Sequence, residues 1–436
     1  MRNLLLRAFL GAIVVAGVST VAMAGTLCVN QGGTSGCYGT ISAAVAAAAS
    51  YDTIRVAPGT YAEDVVIGKP LSLIGHNSHN TIIDATGLAN GVYVDGLDHA
   101  GLRGVVVKGF TIKNANYEGI LVTNAADVTI WGNIVTGNDR NLNPADLTCP
   151  GIPTFETAEG FDCGEGIHLS GAEHSIVANN IVYKNAGGIL LSDDTGATDH
   201  ILVSGNTVRE NPYDCGITLA SHPPAPQTGA TAPFGVFANT ISGNESSRNG
   251  LAVGEGAGVG IFDSIPGAQN YGNVVIGNKL TNNGLPGVAL HSHTPGQNLN
   301  NNSIIANEIS GNHADTDDAA TPGPTGINIF GVSPILGTTI SQNVIRDEAV
   351  DVAVNTPSEV DVHLNDLLGR KIGLANLGSG SVDATENWWG CWAGPGSFGC
   401  SAASGSNVIV QPWLTKPFSF ESGKGGFDRG DDREHE

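Results

Sequence analysis

The chain has 436 residues, 61 of them Gly and 38 Asn, with 14% charged and 6% aromatic residues and a formal net charge of −22. At 41% hydrophobic residues it is too apolar for global disorder, and beyond residue 24 no apolar run is long enough to span a membrane. The negative charge excludes nucleic acid and anionic membrane surfaces as partners, and a polyanionic substrate would need a bridging cation.

The first 24 residues carry Arg2, Arg7, an apolar stretch from Phe9 to Val18 and the small-residue ending Ala22-Met23-Ala24. This is the pattern of a cleaved secretory leader, so a secreted or periplasmic protein is expected. Seven cysteines agree with export: Cys28 with Cys37, Cys149 with Cys163, and Cys391 with Cys400 are close enough in sequence to form short-loop disulfides, and Cys215 is left over, as a buried small residue or a reactive thiol. The spacing 41–49 places Ile41, Ala44, Val45 and Ala48 on one helical face, suited to covering the end of a core. Strands start at Asp52-Thr53-Ile54-Arg55-Val56.

Two interleaved units then repeat. One is Asn, any residue, an aliphatic, two residues, Asn: Asn133 to Asn138, Asn180 to Asn185, Asn206 to Asn211, Asn239 to Asn244, Asn278 to Asn283 and Asn307 to Asn312, with weaker copies from Asn343 and Asn365. The other is Gly followed by alternating aliphatics, starting at Gly91, Gly119, Gly166, Gly188, Gly216, Gly258, Gly287 and Gly326. The short intervals set a coil of 22 to 29 residues, and the long ones carry inserted loops. A coil of that size holds two or three short strands with aliphatics inward and Asn or Gly at the corners. Stacked coils pair their strands in parallel, and the Asn residues align into a column whose amides bond from turn to turn. Near the other end, Trp388, Trp389, Trp392 and Trp413 with the Cys391 and Cys400 pair predict a C-terminal cap at about 387–415. The domain is expected over 25–420, followed by a disordered tail, 421–436.

The run Asp52-Thr53-Ile54 to Pro58-Gly59-Thr60-Tyr61, then Leu71-Ser72-Leu73-Ile74-Gly75 and Thr81-Ile82-Ile83-Asp84, resembles the opening of right-handed parallel β-helix proteins of the pectin-lyase type. The repeats are similar to those of the periplasmic accessory protein of nitrous oxide reductase maturation and of carbohydrate-active β-helices, including mannuronan epimerases. The resemblance implies an all-β, single-stranded right-handed parallel β-helix with an N-terminal helical cap, over about residues 40–415. The fold hosts lyases, epimerases, hydrolases and passive scaffolds, so function must come from a site.

With Ile and Leu inward, His168, Thr218, Ala289 and Asn328 form one outward column, and Ser170, Ser192, Ala220, Phe262, His291 and Phe330 the next. His222 and His293 lie just beyond, with Asp193, Asp194, Asp214, Glu255 and Asp263 at the strand margins. Imidazoles and carboxylates on one face suit proton abstraction from a sugar or glycosidic acid catalysis. The expected catalytic set is Asp214, His222, His291, His293 and His168; Thr218, Asn328, Glu255 and Asp263 are expected to bind substrate. Asn211-Pro212-Tyr213-Asp214 resembles the Asp-Pro-His-Asp motif of mannuronan epimerases, with Tyr213 where that family has its His base, so His222 or His293 would have to substitute. Glu156, Glu159, Asp162 and Glu165 are expected to take calcium, as a second acidic loop with Asp315, Asp317 and Asp318 could. The signatures of pectate lyases, polygalacturonases and pectin methylesterases are absent. The expectation is a monomeric exported protein that binds, and modifies by lyase, epimerase or hydrolase chemistry, an extracellular polysaccharide. A non-catalytic scaffold is the alternative, and a periplasmic metal-maturation accessory the third reading.

Overall fold

The structure, a computed structural model, describes residues 24–156, 163–316 and 320–418. The leader up to residue 23, Glu159, Asp162, Asp317, Asp318 and the C-terminal tail lie outside them. The fold is a right-handed parallel β-helix, as the repeats imply: sheets of 14, 12 and 11 strands run the length of the solenoid, and the strand pairings within them are parallel. One coil shows the plan. Thr129–Trp131 joins the 14-stranded sheet, Ile134–Thr136 the 11-stranded sheet and Glu165–Ser170 the 12-stranded sheet. Ile130, Val135, Ile167 and Leu169 point inward and are fully buried, and Val177, Val182, Ile189 and Leu191 stack on them one coil later.

The corners carry two asparagine ladders. At the first, Asn133 donates its backbone N–H and its Nδ2 to Asn180 Oδ1 (3.0 and 3.1 Å), and the same double contact runs on through Asn206, Asn244, Asn278, Asn307, Asn343, Asn365 and Asn387. At the second, Asn138, Asn185, Asn211, Asn249, Asn283 and Asn312 repeat it, and Glu348 ends the series by accepting from Asn312 at 2.9 and 3.1 Å. One expected pair is out of register: Asn239 does not belong with Asn206 but starts a third ladder to Asn273 and Asn302. The true copy is Asn244 with Asn249. The sequence rule missed it because Ser246 stands where the inward aliphatic is expected, its hydroxyl donating to Gly258 O at 2.8 Å.

The repeating glycines follow from the second ladder. An added Cβ at Gly188 would collide with the Gly216 carbonyl and Val208, and one at Gly216 with Ser246 Oγ and Asn249 Nδ2. Gly188→Ala is therefore expected to lower the denaturation midpoint by an amount equivalent to about 2 kcal/mol or more, because the obstruction is backbone of the next coil and cannot rotate away. An unchanged midpoint would contradict the close stacking.

The N-terminal end is covered by the helix Ile41–Ala47, which buries Ile41, Ala44 and Val45. Thr40 caps it, accepting from Ala43 N at 3.2 Å, and Glu63 accepts from Ile41 N and Ser42 N at 2.8 Å each, an acid at the positive end of the helix. Toward the other end Trp389 is fully buried while Trp392 is exposed. All three expected disulfides are present and Cys215 is free. No helix among the described residues is long and apolar enough to cross a membrane.

Loops leave both margins of the 12-stranded sheet, and this positions the site. The segment after Asn138, described as far as Glu156, returns over the sheet, where Phe155 stacks on Tyr93 with ring centroids 6.1 Å apart. As a result Glu165–Ser170, Gly187–Ser192, Ile217–Ser221 and Val288–Ser292 are buried at every residue, on both faces. The central outer face is therefore roofed.

Candidate functional site

The two outward columns form in the expected register. His168 aligns with Leu190, then Thr218, Gly260, Ala289 and Asn328; Ser170 aligns with Ser192, Ala220, Phe262, His291 and Phe330. Their chemistry divides into three neighbourhoods.

At the centre is a buried polar chain. His168 Nε2 lies 2.8 Å from Ser192 Oγ, Ser192 donates to Asp194 Oδ2 at 2.5 Å, and Asp194 Oδ2 lies 3.3 Å from His222 Nδ1. Asp193 and Asp194 follow directly on the strand Gly187–Ser192, so the chain leaves the sheet there and the two carboxylates diverge. Asp193 accepts from His222 N (2.7 Å), Ser221 Oγ (3.0 Å) and Gly235 N (2.6 Å) and fixes the loop that carries His222. Burial pushes its carboxyl up, as it does for Asp263, which burial and then the charge of Asp193 hold well above the usual range. Asp194 is the exception. Burial pushes it up too, but His222, and after it His168 and the Ser192 hydroxyl, hold it below the ordinary carboxylate value.

The second neighbourhood surrounds His291, at the edge of an aromatic box. Phe262, His293 and Phe330 place their ring centroids 5.2, 5.6 and 5.8 Å from it. Burial, then the neighbouring His293, lowers its titration to about 3, so it is a neutral imidazole at physiological pH. Its Nε2 lies 3.1 Å from Asn328 Nδ2 and 3.4 Å from Asp315 Oδ2, and His293 Nδ1 lies 2.8 Å from the Asp263 carbonyl. Asp315, expected in a cation loop, folds back onto this face. The third holds Asp214, which accepts from Thr218 Oγ1 at 3.1 Å, beside Cys215, whose thiol burial and then Asp214 push well above its ordinary value. Asp214, His222 and His291 thus take different partners instead of sharing one contact. Glu255 lies exposed in the loop before the Val259–Asp263 strand.

Of the four carboxylates expected to take calcium, Glu156 and Glu165 are described, and both are buried. Neither Glu156 oxygen has a hydrogen-bond partner, and burial, then the charge of Asp194, raises its titration to about 8. Glu118 and His168 gather about it, with one ligand atom of each within 4.8 Å of the others. Glu118 was not foreseen. An imidazole with two carboxylates is a set for a borderline metal rather than the all-oxygen shell calcium prefers. His174, Asp199 and His200 form a second such group at the surface, with the imidazoles stacked at 4.7 Å.

Sequence reasoning noted Asp194 but passed it over as a principal residue, although an Asp pair ending a Ser-bearing strand was the available signal. Glu156 stands in the sequence only as a candidate calcium ligand of an inserted loop, because nothing in the order of residues says which insertions fold back.

A family model described as a right handed beta helix region matches residues 73–258. No curated protein matches the sequence. Among solved structures the chain is similar to DFA-IIIase from Arthrobacter chlorophenolicus A6 without its lid, at 13% identity and TM-score 0.51, covering 83% of this chain and 89% of that one. It is also similar to the catalytic domain of a GH87 α-1,3-glucanase in complex with nigerose, at 13% identity and TM-score 0.53, covering 84% and 63%. The catalytic unit of the GH87 α-1,3-glucanase from Streptomyces thermodiastaticus strain HF3-3 shares 15% identity at TM-score 0.47, over 86% and 65%. The chain spans less than two thirds of these glucanase chains. At such identities the likeness speaks for the fold, and by repeat, register and family model the protein is a right-handed parallel β-helix.

Proposed function

We propose that the chain is an exported β-helix protein whose roofed 12-stranded face modifies a polysaccharide by paired-carboxylate chemistry, with Glu156 as proton donor and Asp194 as its ionised partner. The observation that carries this is the gathering of Glu156 about His168, which connects through Ser192 to Asp194, with the two buried carboxyls shifted in opposite directions: Glu156 is raised to about 8 while Asp194 is held below the ordinary value beside His222. In glycosidic hydrolysis Glu156 would protonate the leaving oxygen, and Asp194 would take the proton of the attacking water or itself attack the sugar carbon. His222 and Ser192 hold Asp194 in place and in charge. The glucanase with nigerose and the DFA-IIIase, which share the fold, support a glycan as substrate. The three disulfides support export to an oxidising compartment.

The test is incubation of the protein with neutral and uronate polysaccharides, following products by NMR. Asp194→Asn and Glu156→Gln are each expected to slow product formation by about 10²- to 10⁴-fold without loss of the far-UV spectrum. A Glu156→Gln enzyme should recover on substrates with a good leaving group, which need no acid. Undiminished product from both variants would overturn the assignment. The burial of the face favours a second reading, a glycan-binding scaffold without turnover, and saturable binding with no product from any substrate would establish it.

A further inference from the structure

On another side of the solenoid, over the first coils, a groove of about 680 Å³ lies where the 14-stranded sheet meets its corner. Its floor is a register column: Cys28 pairs with Arg55, Arg55 with Ile74, Ile74 with Lys108, and Lys108 with Trp131. These side chains point outward between fully buried neighbours such as Ile54, Leu73, Val107 and Ile130. The corner residues Pro58, His76, Asn77 and Ser78 form one wall, and the Cys28–Cys37 disulfide closes the end.

The charge of this groove runs against that of the protein. The chain carries 41 acidic residues, yet none lines the groove, which presents Arg55, His76 and Lys108. Several cations elsewhere are paired with acids: Arg103 with Asp127 at 2.7 Å, Lys113 with Asp84 at 3.2 Å, Arg248 with Glu210 at 2.6 Å. Among the described residues Arg55 and Lys108 have no acidic partner. Lys108 Nζ stands 5.8 Å from the Trp131 ring centroid, and Trp131 is exposed, an indole set beside two unpaired cations spaced at coil intervals. A flat apolar ring stacks on the face of a sugar, and a guanidinium fork matches a planar carboxylate.

We infer that this groove binds a short stretch of a carboxylate-bearing oligosaccharide, the sugar stacked on Trp131 and its carboxylates on Arg55 and Lys108. The site shares no residue with the roofed face, so it stands or falls separately from the catalytic reading. It would anchor an acidic glycan to a protein whose overall charge repels one.

Trp131 is the one tryptophan outside 388–413, so it reports binding directly. Titration of the full-length protein with hexagalacturonate at low salt is expected to give a saturable fluorescence change that Trp131→Phe abolishes. Arg55→Gln with Lys108→Gln should weaken binding by roughly tenfold or more, as should added salt, while Asp194→Asn binds like the parent. Both positions lie on the surface, so the fold is kept, and near-UV circular dichroism checks it. Absence of binding, equal binding of maltohexaose, binding of sulfated oligosaccharides alone, or an unchanged affinity in the double variant would each overturn the inference.

Discussion

Asn278→Ala is expected to destabilise the protein by about 4 kcal/mol or more, read as the shift of the guanidinium midpoint. Asn278 donates Nδ2 to Ile241 O (2.9 Å) and to Asn307 Oδ1 (3.0 Å), and its Oδ1 accepts both the N–H and the Nδ2 of Asn244 (2.9 and 3.0 Å). Truncation strands a carbonyl on one side and two donors on the other, in a corner that water does not reach, and each orphaned group costs about 1 to 3 kcal/mol. The neighbouring Lys279, exposed on the same coil and 3.5 Å from Glu245, should shift the midpoint by under about 1 kcal/mol when changed to Ala. Because coils are coupled only to their neighbours, hydrogen exchange in Asn278→Ala should rise first in the adjoining corners and not at the helical cap. Equal effects of the two substitutions would mean that the ladder does not hold the coils together.

The second large effect is a loss of stability as pH rises. Glu156 titrates at about 8 and Glu348 at about 7, and burial holds Asp263 and Asp351 well above their ordinary value. In each case the folded chain keeps a proton that the unfolded chain gives up near pH 4 to 4.5. Stability therefore falls from about pH 4.5 upward until the folded group itself ionises, and levels off beyond. Asp194 works in the opposite sense, its contribution being lost only as pH drops through the region below its ordinary value, and His291, lowered to about 3, also costs stability as pH falls below about 6.5, an effect the four raised carboxyls outweigh. The expected melting temperature is higher at pH 5 than at pH 8, the gap reflecting a few kcal/mol. Glu348→Gln should narrow it by raising stability at pH 8, since an amide oxygen can still accept from Asn312 N and Nδ2 without carrying charge. A flat pH profile, or a Glu348→Gln protein less stable than the parent at pH 8, would contradict these titrations.

Much of the fold was legible because a solenoid repeats its constraints. Each inward aliphatic, corner Asn and leading Gly recurs at nearly the same place in the coil, so a short-range pattern carries the long-range register, and His168 could be aligned with Thr218 and Asn328 in advance. The pattern failed where one coil uses a different solution, as with Ser246 in place of an aliphatic. The site was less legible for a physical reason. Register says which side chains point outward, but whether they meet solvent depends on the insertions, which do not repeat. The fold of the segment after Asn138 brings Glu156 near Asp194, and nothing in its sequence spacing marks that return. Asp214 and Glu255 both stand at strand margins in the sequence, yet one is buried against Thr218 and the other is exposed.

The assignment of a proton donor and an ionised partner rests on the protonation state of Glu156. A ¹³C NMR titration of the protein labelled at the glutamate side-chain carboxyl, with the signal assigned by its loss in Glu156→Gln, reads that state directly. A midpoint at about 8 is expected, moving down in Asp194→Asn as the charge that raises it is removed. A midpoint near 4.5 would show Glu156 ionised at neutral pH and unable to serve as the acid.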